Sequence, residues 1–223
     1  MRDNPSAFSS CEYDRKIRQT LPYYETFYTQ VTDLVKTVYE TPVSWLDVGC
    51  GTGKMARTAR ESGIPIRRMV LSDISPEMLR TAEKENRESR AEFCIADVRD
   101  LPWENAFDVV TAIQVFHYLR EEERREALGN VFRALKENGS FISFENIAPF
   151  TETGKEIYLE KWRRYQVEQG RSPEEAAGHI GRYGKGYFPI TVEEHLRQMR
   201  NCGFRAVEIL WFSNLQAGFW GVK

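Results

Sequence analysis

Val43-Ser44-Trp45-Leu46-Asp47-Val48-Gly49-Cys50-Gly51-Thr52-Gly53-Lys54 is the stretch that decides how this 223-residue chain reads. Its first half is a nearly unbroken apolar run, the pattern of a strand covered on both faces in a parallel sheet. Its second half places glycine at alternate positions, which lets the chain turn sharply and bring bare backbone close to a ligand. Asp47 stands where the strand gives way to that turn, and open α/β sheets bind their ligands in the crevice beyond such strand ends. The glycine spacing departs from the G-x-G-x-x-G pattern that seats a pyrophosphate on a helix N-terminus.

Outward from this loop, strand and helix alternate. Lys54–Ser62 reads as a helix stopped at Gly63-Ile64-Pro65, and Arg68–Ser72 as a second strand. Ser75-Pro76-Glu77 supplies an N-cap, a proline at the first helical position and an acid in the first turn, opening a helix to about Arg87. Strands are predicted at Ala91–Ile95, Phe107–Ile113 and Ser140–Phe144, with a charged helix over Glu121–Lys136 ended by Asn138-Gly139. This order implies a mostly parallel sheet with helices on both faces. Beyond Pro149 the rhythm breaks. A helix near Thr153–Gln169, a short helix capped by Ser172 and a glycine- and aromatic-rich run to Pro189 read as a helical lid insertion at about 149–190. Thr191–Cys202 is helical again, and Ala206–Phe212 with Ala217–Val222 forms a C-terminal antiparallel hairpin, giving seven strands in all. Residues 1–42 read as an N-terminal helical cap on a domain spanning 43–223.

Acid-x-Gly-x-Gly-x-Gly after a buried strand resembles the first motif of the class I S-adenosylmethionine (SAM) dependent methyltransferases, a Rossmann-like family. The resemblance implies that Gly49, Gly51 and Gly53 form the cofactor loop and that Asp47 pairs with the cationic amino group of the methionine moiety. Asp73, at the end of the second strand, matches the acid that accepts the ribose hydroxyls, and Ile74 and Met78 would pack on the adenine. Ala96-Asp97-Val98 is similar to the segment whose aspartate receives the adenine amino group. Gln114 through His117 would line the sulfonium and acceptor side, with S-adenosyl-L-homocysteine as product. The leader Tyr13-Asp14 … Pro22-Tyr23-Tyr24-Glu25 resembles a segment that covers the cofactor, so Tyr24 joins the cofactor set.

Methyl transfer from a sulfonium needs alignment and a dry pocket more than acid–base chemistry, because the donor is already activated. Where the acceptor must lose a proton, His117 is the candidate base, since histidine titrates near neutrality. Pro189 to Leu196 and the Gly203-Phe204 and Trp211-Phe212 pairs resemble the tail of carboxy-SAM synthase. In that family an Arg-Tyr pair handles the cofactor's carboxylate, and Arg182-Tyr183 occupies the similar place, although Gly51-Thr52-Gly53 has the ordinary methyltransferase form. A small-molecule acceptor is the expectation, with tRNA, carboxy-SAM synthesis or use in tRNA modification, and a non-catalytic SAM-binding regulator as alternatives.

The bulk composition sets limits. A net charge of −2 gives no global attraction to nucleic acid or to an anionic membrane. Met1 to Ser6 carries no apolar run of the signal-peptide kind. Four cysteines (Cys11, Cys50, Cys94, Cys202) without a C-x-x-C pair favour neither zinc nor a disulfide framework. A cytoplasmic enzyme without a metal is the expectation.

Overall fold

The computed structural model describes residues 10–87 and 89–223, without the side chains of Ser10 and Cys11. The Met1 to Ser6 opening and the Cys11 thiol therefore lie outside what is described. Seven strands form one sheet: β1 (Val43–Val48), β2 (Ile66–Asp73), β3 (Glu92–Ile95), β4 (Phe107–Ile113), β5 (Leu135–Asn146), β6 (Val207–Ser213) and β7 (Gln216–Val222). Their order is β3-β2-β1-β4-β5-β7-β6. All neighbours from β3 to β5 pair in parallel. β7 pairs antiparallel with both β5 and β6, so it is the one reversed strand.

The continuous apolar run of β1 is explained by burial on both sides. Val43 and Trp45 enter one core with helices α1 (Ser10–Thr20), α2 (Tyr24–Val38) and α3 (Lys54–Glu61), whereas Leu46 and Val48 enter the other. That second core is closed by α5 (Glu121–Ala134) and α8 (Val192–Cys202). Helix α4 (Pro76–Glu85) starts as its residues dictate, with Ser75 Oγ accepting from Met78 N.

One boundary differs from the sequence reading. The charged helix ends at Ala134, and β5 begins at Leu135, before Asn138-Gly139. Leu135 pairs with Phe107, so tertiary pairing extends the strand through the expected stop. Asn138 takes a left-handed φ of 61° there and its N–H donates to the Lys223 carbonyl. The stop signal is real, but it makes an irregularity inside a strand.

The insertion supplies α6 (Glu152–Glu168) and α7 (Pro173–Ile180). Trp162 on α6 is buried and donates its indole N–H to the Thr20 carbonyl at 2.5 Å, clasping α6 to the end of α1. Tyr165 and Gln19 add hydrogen bonds across the same seam. Trp162, Tyr187 and His179 pack edge-on or stacked, so these aromatics form the insertion's own core.

Candidate cofactor site

The C-terminal ends of β1, β2 and β4 open into a cavity of about 250 Å³. Its walls include Gly49, Gly51, Asp73, Ile74, Met78, Asp97, Val98 and Gln114, all expected from the sequence. A second, smaller cavity of about 20 Å³ adjoins it and shares Tyr13, Gly49, Gly51 and Ile113. Asp47 and Tyr24 line this smaller space.

The glycine loop divides its labour. Gly49, Gly51 and Gly53 all take positive φ, between 54° and 74°. A Cβ on Gly51 would project into open space, as a ligand cradle requires, whereas one on Gly53 would stand 2.4 Å from Asn86 Nδ2. Gly53 therefore lets α3 approach α4, and it lines neither cavity. Asp73 fixes the loop: one carboxylate oxygen accepts from Gly51 N and the other from Ser75 N, each at 2.9 Å. Burial still pushes its pKa upward against those bonds.

Asp47 is 3% exposed, and one of its oxygens accepts from Thr111 Oγ1 at 2.7 Å. Thr111 in turn accepts from the Trp45 indole at 2.9 Å. The other Asp47 oxygen has no donor among the described residues. Burial lifts the Asp47 pKa to about 7, with the nearby Asp73 adding to the rise against the Thr111 hydrogen bond. An acid held so far above its ordinary value at a cavity wall is suited to receive a cation.

At the opposite end, Asp97 does not present bare oxygens. Arg99 donates to both of them, at 2.5–3.0 Å, and also reaches Glu123 at 2.5 Å. This Asp97–Arg99–Glu123 clamp walls the cavity, and nothing in the spacing of Arg99 or Glu123 announced it.

The segment after β4 corrects the expected phase. Gln114 has φ 61°, and its backbone and side-chain amides both donate to the Phe144 carbonyl. A left-handed glutamine at a strand end is the kind of strain that clusters at functional sites. The 3-10 turn Phe116–Tyr118 then points His117 inward, where it is 1% exposed and lines neither cavity. Its Nδ1 and backbone N both meet Glu145 Oε2, at 2.9 and 3.0 Å. Tyr118 faces the cavity instead, with its ring 4.3 Å from that of His117. Burial raises the Tyr118 pKa, while the Arg182 guanidinium, close enough to hydrogen-bond its hydroxyl, opposes the rise. Arg182 thus comes to the edge of the cofactor cavity through Tyr118. Tyr183 packs on Tyr187 and under Lys155, and lines neither cavity.

The leader helix closes the loop from above. Tyr13 lines both cavities, and Asp14 accepts from Thr52 Oγ1 at 2.8 Å and pairs with Arg57 at 3.3 Å. Among the described residues, no group of histidines, cysteines and acids could hold a metal ion.

The profile of a methyltransferase domain matches residues 46–139. Carboxy-S-adenosyl-L-methionine synthase of Staphylococcus epidermidis is 22% identical over 209 residues, covering 90% of this chain and 87% of that protein. The enzyme of the same name from Campylobacter concisus is 25% identical, covering 90% and 86%. Among solved structures, magnesium protoporphyrin IX methyltransferase from Synechocystis PCC 6803 with bound S-adenosylhomocysteine superposes with a TM-score of 0.67 at 16% identity. It covers 97% of this chain and 96% of that one. A Haloferax volcanii methyltransferase complexed with its Trm112 activator gives 0.66 at 17% identity, covering 97% and 99%. Residues 46–139 thus match a methyltransferase domain, and the whole chain shares its fold with solved methyltransferases. The curated relatives quoted above share the name carboxy-SAM synthase, a branch to which this chain is similar along nearly its whole length.

Proposed function

We propose that the chain transfers the sulfonium methyl of SAM to a small-molecule acceptor held between the cofactor cavity and the insertion. When bound, SAM supplies an activated methyl group, so the protein's work is to align, enclose and exclude water. The observation that carries this reading is Tyr118. It is the point at which the cofactor cavity meets the insertion, through Arg182. A cavity of about 250 Å³ favours a small organic ligand over a folded RNA, and a net charge of −2 offers no broad phosphate-tracking surface.

In this reading Asp47 holds the ammonium, Asp73 the ribose, and Ile74, Met78 and Val98 the adenine. Tyr118 orients the acceptor, and His117, braced by Glu145, positions Tyr118 rather than acting as a base itself. Tyr118→Phe should lower turnover about tenfold or more while changing SAM affinity less than about threefold, the effect of one lost polar contact made mainly to the acceptor. Equal losses in both would remove Tyr118 from the acceptor side. The broader test is to incubate the protein with methyl-labelled SAM and separated small-molecule and tRNA fractions of a cytoplasmic extract. Label in the small molecules supports the reading, and label confined to tRNA overturns it.

A second reading has its own support. Arg182 beside the cofactor cavity suits a carboxylate, since a guanidinium can make two parallel hydrogen bonds to it, and the relatives named above are carboxy-SAM synthases. Mass spectrometry of the ligand that co-purifies distinguishes the two: a carboxylated SAM favours this reading, and SAM or its demethylated product favours methyl transfer.

A further inference from the structure

Lys54 directly follows the glycine loop, yet its side chain is not on the surface. It is 8% exposed, lies 4.2 Å from the centre of the Tyr24 ring and 4.6 Å from that of Tyr28, and bonds Glu25 at 2.6 Å. It lines the same small cavity as Asp47. That cavity, at about 20 Å³, is too small for the body of a ligand, and with the walls it shares with the larger cavity it can take only a short polar end. Because it shares walls with the larger cavity, it suits the polar head of a molecule whose nucleoside lies next door. An acid and an ammonium facing one small space form a receptor for a zwitterion.

We propose that Lys54 takes the α-carboxylate of the bound cofactor while Asp47 takes its ammonium, and that Lys54 changes partner from Glu25 to the ligand on binding. The inference rests on the cofactor reading given above for Asp47. The exchange leaves no charge stranded, because Glu25 keeps Arg18 at 2.8 Å. Tyr24 and Tyr28, hydroxyls joined at 2.9 Å, hold the ammonium by their ring faces throughout, so its position does not depend on Glu25 alone. Burial also lowers the Lys54 pKa, which marks the site as one where an anionic partner is worth more than in water.

The test is calorimetric titration of the whole chain with SAM and with decarboxylated SAM, which lacks only the carboxylate. The wild type should bind SAM about tenfold or more tightly than the decarboxylated form, the discrimination expected of one charge-assisted hydrogen bond. Lys54→Gln should abolish that preference by weakening SAM alone. Glu25→Gln, which removes the competitor, should strengthen SAM several-fold. If Lys54→Gln weakens both ligands equally, or Glu25→Gln weakens SAM, the pair is only a structural latch and the proposal falls. A wild type that binds SAM without preferring it to the decarboxylated form also overturns it, leaving the cofactor reading intact. A wild type that binds neither ligand removes the cofactor reading, and the proposal with it.

Discussion

Asp47 lowers the stability of the fold as pH rises. An acid whose pKa stands near 3.8 in the open chain and at about 7 in the fold gives the folded state more bound protons between those values. Stability therefore falls as pH rises from about 4 to about 7, by up to on the order of 4 kcal/mol for a shift of this size. Asp47→Asn should stabilise the ligand-free protein at pH 8, flatten this pH dependence and weaken SAM binding; urea unfolding at pH 5 and 8 checks it. Unchanged pH dependence in the variant would place the proton elsewhere. The loop glycines should separate in the same way. Gly51→Ala strains the left-handed backbone by about 1 kcal/mol and puts a methyl into the cradle, so binding suffers most. Gly53→Ala adds a clash with Asn86 and costs stability first. The sequence makes all three glycines look alike, because spacing reports the need for a turn but not what lies behind each Cα.

At the scale of elements, most of the sheet is legible because its signals are local. β1 and β4 have the bounds their apolar runs predict, and Ser75 caps α4 as its type and position require. The site is legible along the strand ends and not beyond them. Asp47, Asp73 and Gln114 are placed by the strands that carry them. Whether His117 or Tyr118 meets the cavity depends on the phase of a three-residue turn, which no periodicity records. Glu123 and Lys54 line the cavities beside partners distant in sequence, Arg99 and Glu25, and no local pattern records those pairings. The α1–α6 clasp belongs to this scale as well. Trp162→Phe deletes the bond to Thr20 and leaves a small void where the pyrrole ring stood, so it should cost about 2 kcal/mol or more and raise amide hydrogen exchange in α1 and α6 together. Faster exchange in α6 alone would mean that the helices are not coupled.

Across the whole molecule, the cavity borders α1, the glycine loop, the strand ends and the turn that carries the insertion's anchor, Phe188 N donating to the His117 carbonyl. A ligand there touches every layer of the fold. SAM at a hundred times its dissociation constant should add about 2.7 kcal/mol, or roughly 5–10 °C in melting temperature for a chain of this size. No shift at that excess, measured by scanning calorimetry, would mean that the cavity is not the SAM site.

The reversed β7 lies between β5 and β6, although β6 precedes it in the chain. As the polypeptide leaves a ribosome, β6 therefore emerges before the strand it will rest on, and β5 waits with a bare, hydrogen-bond-hungry edge. Until Gln216–Val222 has been translated, that edge is open to any passing strand, including Ile209 and Phe212 of β6 itself, whose side chains stay exposed even in the finished fold. The last seven residues of the sheet thus act as its closing wedge. A truncation within them would leave β5 without the partner that seals its edge.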